Sequence, residues 1–174
     1  MKLNKVMKGR PIKSDYHPYF ETYVSKVEGE NILQELQDTA ASAFYKSIPE
    51  DAWDNRYEEG KWSIKEVLMH IMDTERIFGY RALRISRHDR TPVAGFDQDI
   101  YVPHYNVDNR SINSLLAEYH AVRENTKAMF SNFTEDQFKQ VGVASDNNVS
   151  VHALAFLISG HETHHIDILK NKYL

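Results

Sequence analysis

S-G-H-E-T-H-H-I-D-I-L, residues 159–169, gathers three histidines, a glutamate and an aspartate into one short stretch near the end of the sequence. On a helix, residues three or four apart share a face, so His161 lies beside His164 or His165. Neutral imidazoles at that spacing are a common way to hold a transition metal. The plain alternative is a polar helix end that happens to be rich in histidine. The surrounding apolar pattern, Leu154, Leu157, Ile158, His161, His165, Ile168, puts two of the imidazoles in an inward stripe with His164 at its edge. An unpaired polar group in such a stripe costs on the order of 1–3 kcal/mol, so a metal accounts for both more economically than two separate hydrogen bonds. Two ligands define no site, and a third must come from another helix.

His70 is the candidate. It sits between Val67 and Ile71 in a segment that opens at Ser63, with Glu66 completing an S-x-x-E capping box, and that meets no helix breaker until about Arg87. His70 lies seven residues into that helix, about 10 Å along its axis, and His165 lies six residues from the expected end of the last helix, about 9 Å. The two levels coincide if the second and fourth long helices run antiparallel. In an up-down-up-down bundle they would be parallel and the ligands would miss by roughly 9–12 Å. The connection 88–110, long enough to return the chain to the starting end, permits an up-down-down-up order instead.

The remaining chain fits that scheme. Residues 1–16 read as an extended arm, and 17–174 as one helical domain. A short helical stretch is expected over 19–27 and the first long helix over 31–47, with Ile32, Leu33, Leu36, Ala40, Ala43 and Phe44 inward. The second helix turns Ile64, Val67, Leu68, Ile71, Met72, Phe78 and Leu83 inward. The third spans 112–132 behind Ser111, a short helix follows Thr134, 142–148 reads as a turn, and the fourth runs from Ser150 to about Asn171. No strand-like alternation exceeds a few residues. The fold class is all-α, a four-helix bundle with an up-down-down-up order and a long crossover between the second and third helices.

The 174 residues are 41% hydrophobic and 26% charged with a net charge of −4, which matches a soluble single domain and offers no basic field for nucleic acid. No signal peptide or membrane-length apolar run is visible, so a cytoplasmic protein is expected. There is no cysteine, so a metal must be held by His, Asp or Glu.

His161-Glu162-Thr163-His164-His165 also satisfies H-E-x-x-H, the zinc-protease pattern in which the glutamate is the general base. The third ligand of one such branch would fall at Asn171, which does not bind zinc, and only three residues follow it. His17, His88, His104, His120 and His152 read as surface or packing residues, although a loop carrying His104 could reach over the site. Asp73, one turn beyond His70, serves either as an orienting carboxylate or as a solvated charge. Arg81 and Arg84 are expected to pair with Glu75 or Asp89 rather than to bind an anionic substrate group.

With those residues in place, the sequence resembles the DinB-like superfamily of metalloenzymes, which includes YfiT-type proteins. The resemblance covers about residues 30–174 and is carried by G-K-W-S-I-K-E-V-L-M-H-I-M-D-T-E-R-I-F-G-Y-R at 60–81 and G-H-E-T-H-H at 160–165, supported by P-V-A-G-F-D at 92–97 and R-S-I-N-S-L-L at 110–116. It implies a four-helix bundle, a divalent metal (zinc or nickel) on His70, His161 and His165 with His164 outside the ligand set, and a homodimer. It also implies transferase or isomerase chemistry with a low-molecular-weight thiol such as bacillithiol, mycothiol or glutathione. The expected function is therefore that of a metal-dependent enzyme acting on a small molecule, either a thiol-dependent S-transferase or a hydrolase. The alternative is a non-catalytic stress or sensor protein whose metal is structural. No residue is assigned as catalytic at this level.

Overall fold

The second long helix begins at the predicted capping box: Ser63 Oγ accepts from the Glu66 amide at 3.2 Å, and Glu66 Oε2 accepts from the Ser63 amide at 2.6 Å. The computed structural model describes residues 8–36 and 40–174. In chain order the helices are α1 Glu21–Val24, α2 Ile32–Leu36, α3 Ala40–Ser47, α4 Ile64–Ser86, α5 Gln98–Tyr101, α6 Ile112–Ser131, α7 Glu135–Phe138 and α8 Val151–Ile168. A hairpin of strands β1 Val141–Ala144 and β2 Asn147–Ser150 precedes α8, and a π-helical turn, Leu169–Tyr173, follows it. Both α2 and α3 fall inside the first long helix expected over 31–47. Residues 37–39 between them, and 1–7 of the expected arm, lie outside the described residues.

Side-chain contacts give the helix directions. Along α4, Trp62 accepts from Tyr173 Oη at 2.7 Å, the His70 ring lies 4.9 Å from His165, and the Phe78 ring lies 6.4 Å from His161. The partner numbers fall as the α4 numbers rise, so α4 and α8 are antiparallel. Against α6 they rise together: Arg110 pairs near Met69, Arg76 with Glu118, and Gly79 faces Met129. Helices α4 and α6 are therefore parallel, and the bundle is up-down-down-up as the ligand-level argument required.

Helix α8 is the central element. Every residue from Val151 to Ile158 is buried, as are Gly160, His161 and Glu162. A helix apolar on all sides is one packed on all sides, and α8 touches α1, α2, α3 and α4. The single inward stripe expected for it is thus too narrow: Glu162 is buried, while Ile168 is only half-buried. Leu83, expected inward on α4, is exposed.

The apolar core is two clusters. One gathers α1, α2 and the C-terminal half of α4 against the N-terminal half of α8; the other gathers α3, the start of α4 and the start of α6 against the end of α8. Between them lies a polar layer. Arg123 of α6 donates through Nε and Nη2 to both oxygens of Glu75 on α4 (2.9–3.2 Å) and through Nη2 to Glu162 Oε2 on α8 (2.8 Å), and Tyr45 of α3 donates to Glu162 Oε1 at 3.4 Å.

The segment expected to be a turn over 142–148 is instead a hairpin with Val141 opposite Ser150 and Ala144 opposite Asn147. Its turn residues, Ser145 and Asp146, take φ of 50° and 61°, the left-handed pair that a two-residue hairpin turn requires. Glycine or Asn-Gly normally signals that turn, and neither stands there. The crossover 88–110 docks on this hairpin: the Val93 amide donates to Val143 O at 2.9 Å and the Ser145 amide to Val93 O at 3.0 Å.

Candidate metal centre

Three imidazoles meet where α4 crosses α8. His70 Nε2 lies 3.0 Å from His161 Nε2, and His165 Nε2 lies 3.1 Å from the same atom. One ring nitrogen carries either one proton or one lone pair, so His161 Nε2 cannot satisfy both neighbours by hydrogen bonding. His70 Nδ1 is buried with no partner among the described residues, which leaves Nε2 as that ring's only polar engagement. Four-coordinate zinc with bonds of about 2.0–2.1 Å sets neighbouring nitrogens roughly 3.3 Å apart, close to the two separations here. The donor set and its spacing fit a divalent cation, and among the described residues these three form the group whose ligand atoms all lie within 4.8 Å of one another.

Burial sets the protonation state. Desolvation lowers the His70 pKa to about 4. It lowers that of His165 to about 3, assisted by the neighbouring His70 and His164. His161 lies well below the ordinary range for the same reason, with the three surrounding histidines adding to it. All three are neutral at pH 7, and a neutral imidazole is the form that ligates metal.

The site is held from several directions. Gly160 lets α1 approach, because a Cβ at that position would clash with the Tyr23 carbonyl group. The Tyr23 ring consequently lies edge-on to His161 and His164, at 5.3 and 5.2 Å. Trp62, anchored through its carbonyl by Tyr173, sets its ring 5.0 Å from His70. The resulting cleft, about 280 Å³, is lined by Tyr19, Phe20 and Tyr23, by Trp62, Thr74, Phe78 and Arg81, by Phe96, Gln98 and Ser145, and by His70, His161, His164 and His165. A larger groove of about 620 Å³ between α4 and α6 contains none of these histidines.

The other sequence candidates are placed as follows. His164 lines the cleft at the edge of the Tyr23 ring, outside the three-nitrogen cluster, and burial lowers its pKa. Glu162 points away into the polar layer and bonds Arg123, so it cannot act as a general base beside the imidazoles. Asp73 pairs with Arg76 at 3.2 Å, outside the cleft. His104 is exposed and does not reach the cleft; the crossover does, through Phe96 and Gln98. Arg84 pairs with Asp89 at 2.6 Å as expected. Arg81 does not pair with Glu75, which Arg123 occupies, and it lines the cleft instead. Tyr23 and Ser145 carried no sequence signal beyond residue type, whereas Trp62 and Phe96 fall inside the segments 60–81 and 92–97 that carry the family resemblance, with no site role assigned to either. Gly160, inside an otherwise unbroken helix, was the one local hint that another backbone comes close.

Fold and site together define a four-helix bundle of up-down-down-up order with a three-histidine centre able to hold a metal. The chain belongs to the DinB superfamily, whose profile matches residues 32–169. It is 25% identical over 126 residues (71% of this chain, 72% of the relative) to a protein of Oceanobacillus iheyensis named "Putative metal-dependent hydrolase". In fold it is similar to YfiT from Bacillus subtilis, described as "a probable metal-dependent hydrolase with an unusual four-helix bundle topology". That similarity has a TM-score of 0.70 at 15% identity and covers 94% of this chain and 90% of the other. Among the described residues no helix is long and apolar enough to cross a membrane.

Proposed function

We propose that His70, His161 and His165 hold a divalent metal, zinc or nickel, and that the chain is a metal-dependent hydrolase of a small ester or amide. The observation that carries this reading is the convergence of three neutral Nε2 atoms on one point at the wall of an aromatic cleft. The ion, when bound, supplies Lewis acidity at the face the three imidazoles leave open. The protein's own groups do the rest. Tyr23 and Trp62 fix the imidazole rings from either side, and the aromatic lining excludes bulk water and takes the apolar part of a substrate. We assign to His164, on the cleft wall, the role of accepting a proton from the nucleophile. At about 280 Å³ the cleft suits a metabolite, not a macromolecule.

The relatives' names favour water over an external thiol as the attacking group, so hydrolysis takes precedence over the thiol-transfer expectation. The test is elemental analysis of protein purified without an affinity tag, followed by a panel of ester, amide and thiol-transfer reactions with and without chelator. One equivalent of metal in wild type, lost in His161→Ala, together with chelator-sensitive hydrolysis, is the expected outcome. Equal metal content in the two proteins refutes the site, and turnover only with a thiol cosubstrate refutes the hydrolase assignment.

A further inference from the structure

Two arginines are buried among the described residues, and they are treated differently. Arg123, 7% exposed, is matched by the carboxylates of Glu75 and Glu162. Arg81, 3% exposed, forms no ion pair among the described residues. Its Nη2 donates only to neutral oxygens, Ala94 O at 3.1 Å and Ser145 Oγ at 2.8 Å, and its Nε has no partner. The guanidinium carbon lies 5.7 Å from the Phe78 ring centroid and 5.9 Å from that of Phe96. A cation removed from water without a counter-charge is expensive, and two ring faces offset only part of that cost.

The cleft that Arg81 lines contains no aspartate or glutamate. Among its lining residues the guanidinium is the one fixed charge. Phe78 touches both ends: its ring lies 5.7 Å from the guanidinium and 6.4 Å from the His161 ring. Helical side chains lean toward the N-terminus, which on α4 tilts Arg81 toward His70.

We infer that Arg81 is the anchor for an anionic group of the substrate, a carboxylate or a phosphate, whose apolar remainder lies along Phe78 toward the histidines. This deepens the reading of the site as a metal-dependent hydrolase and rests on it: a divalent ion on three neutral ligands beside Arg81 leaves the cleft strongly cationic, with no counter-charge from the protein. An anionic substrate supplies it. The Ala94 carbonyl and the Ser145 hydroxyl on Nη2 hold the guanidinium in place, while Nη1, which has no partner among the described residues and is not closed off as Nε is, stays available for charge-assisted bonding.

The experiment uses chelator-treated full-length protein in low-chloride buffer, so that anion binding is read without metal and without turnover. Binding of 3-phenylpropanoate, phenyl phosphate and the neutral 3-phenylpropanamide is followed by calorimetry and by the fluorescence of Trp62 in the cleft. One charge-assisted contact predicts that an anion binds about 10- to 100-fold more tightly than the amide. The better of the two anions identifies the group. Arg81→Gln is expected to abolish the preference, Arg81→Lys to keep part of it, and Arg84→Gln, on the same helix but outside the cleft, to leave it intact. Equal affinity for anions and amide in wild type overturns the inference and needs no variant to fold. A preference that survives Arg81→Gln, or that disappears in Arg84→Gln, overturns it as well. If, before chelator treatment, wild type carries no more metal than His161→Ala and the Arg81-dependent preference still holds, the metal reading fails and the anion anchor stands.

Discussion

Replacing Arg123 by leucine tests the polar layer that divides the core. The guanidinium makes four hydrogen-bond contacts with two carboxylates, and the three side chains are 3–8% exposed. Leucine fills much of the volume and removes all of the positive charge. Glu75 and Glu162 then face each other in an apolar interior, with the hydroxyls of Tyr45, 3.4 Å from Glu162 Oε1, and of Tyr119 as hydrogen-bond donors that remain. Breaking a buried pair in this way costs about 3–5 kcal/mol. For a domain of this size that corresponds to a fall in Tm on the order of 10 °C. Urea denaturation followed by far-UV circular dichroism reads the effect as a lower midpoint with an unchanged m value. The added substitutions Glu75→Gln and Glu162→Gln are expected to recover at least half of the loss, because the penalty comes from stranded charge and not from missing attraction. A loss below about 1 kcal/mol in Arg123→Leu, the level of an exposed pair, would refute the account of a desolvated network.

Gly160→Ala brings a methyl group into clash with the Tyr23 carbonyl, which is backbone and cannot swing aside, so α1 must move. Overpacking of this kind costs about 1–3 kcal/mol; an unchanged thermal midpoint would count against the close approach. Tyr173→Phe removes the bond to the Trp62 carbonyl, with an expected loss of about 1 kcal/mol and a changed tryptophan emission, and unaltered emission would show that the anchor does not position that ring. The metal-free protein is expected to lose stability on acidification. His70 and His165 have folded pKa values of about 4 and about 3 against 6.5 unfolded, so between those values the unfolded chain binds more protons. The stability is complete above about pH 6.5 and declines as pH falls toward 4; added zinc should raise the midpoint at pH 7 by mass action. A flat stability profile between pH 7 and 4 after chelation would contradict the neutral burial of the imidazoles.

Much of this molecule is legible locally. Helix starts at Ser63, Ser111, Thr134 and Ser150 follow from side chains that accept amide hydrogens within the same turn. The pairing of His161 with His165 follows from helical periodicity, and the level of His70 together with the length of 88–110 was enough to select the order of the helices. The hairpin at Val141–Ser150 was not legible, because four-residue strands leave no alternation to detect and its left-handed turn is built from Ser145 and Asp146 without glycine.

What tertiary structure alone decided is the direction of each charged side chain. Glu162 follows His161 by one residue, about 100° around the helix. In a helix packed on one side that would place it in solvent; α8 is enclosed, so it meets Arg123. Arg81 and Arg84 have the same local setting on α4, yet one reaches a surface aspartate and the other a cleft without carboxylates. Spacing along a chain settles which residues share a face. It does not settle which distant residues that face will meet, because burial and counter-charge come from segments tens of residues away, brought there by the packing of the whole bundle.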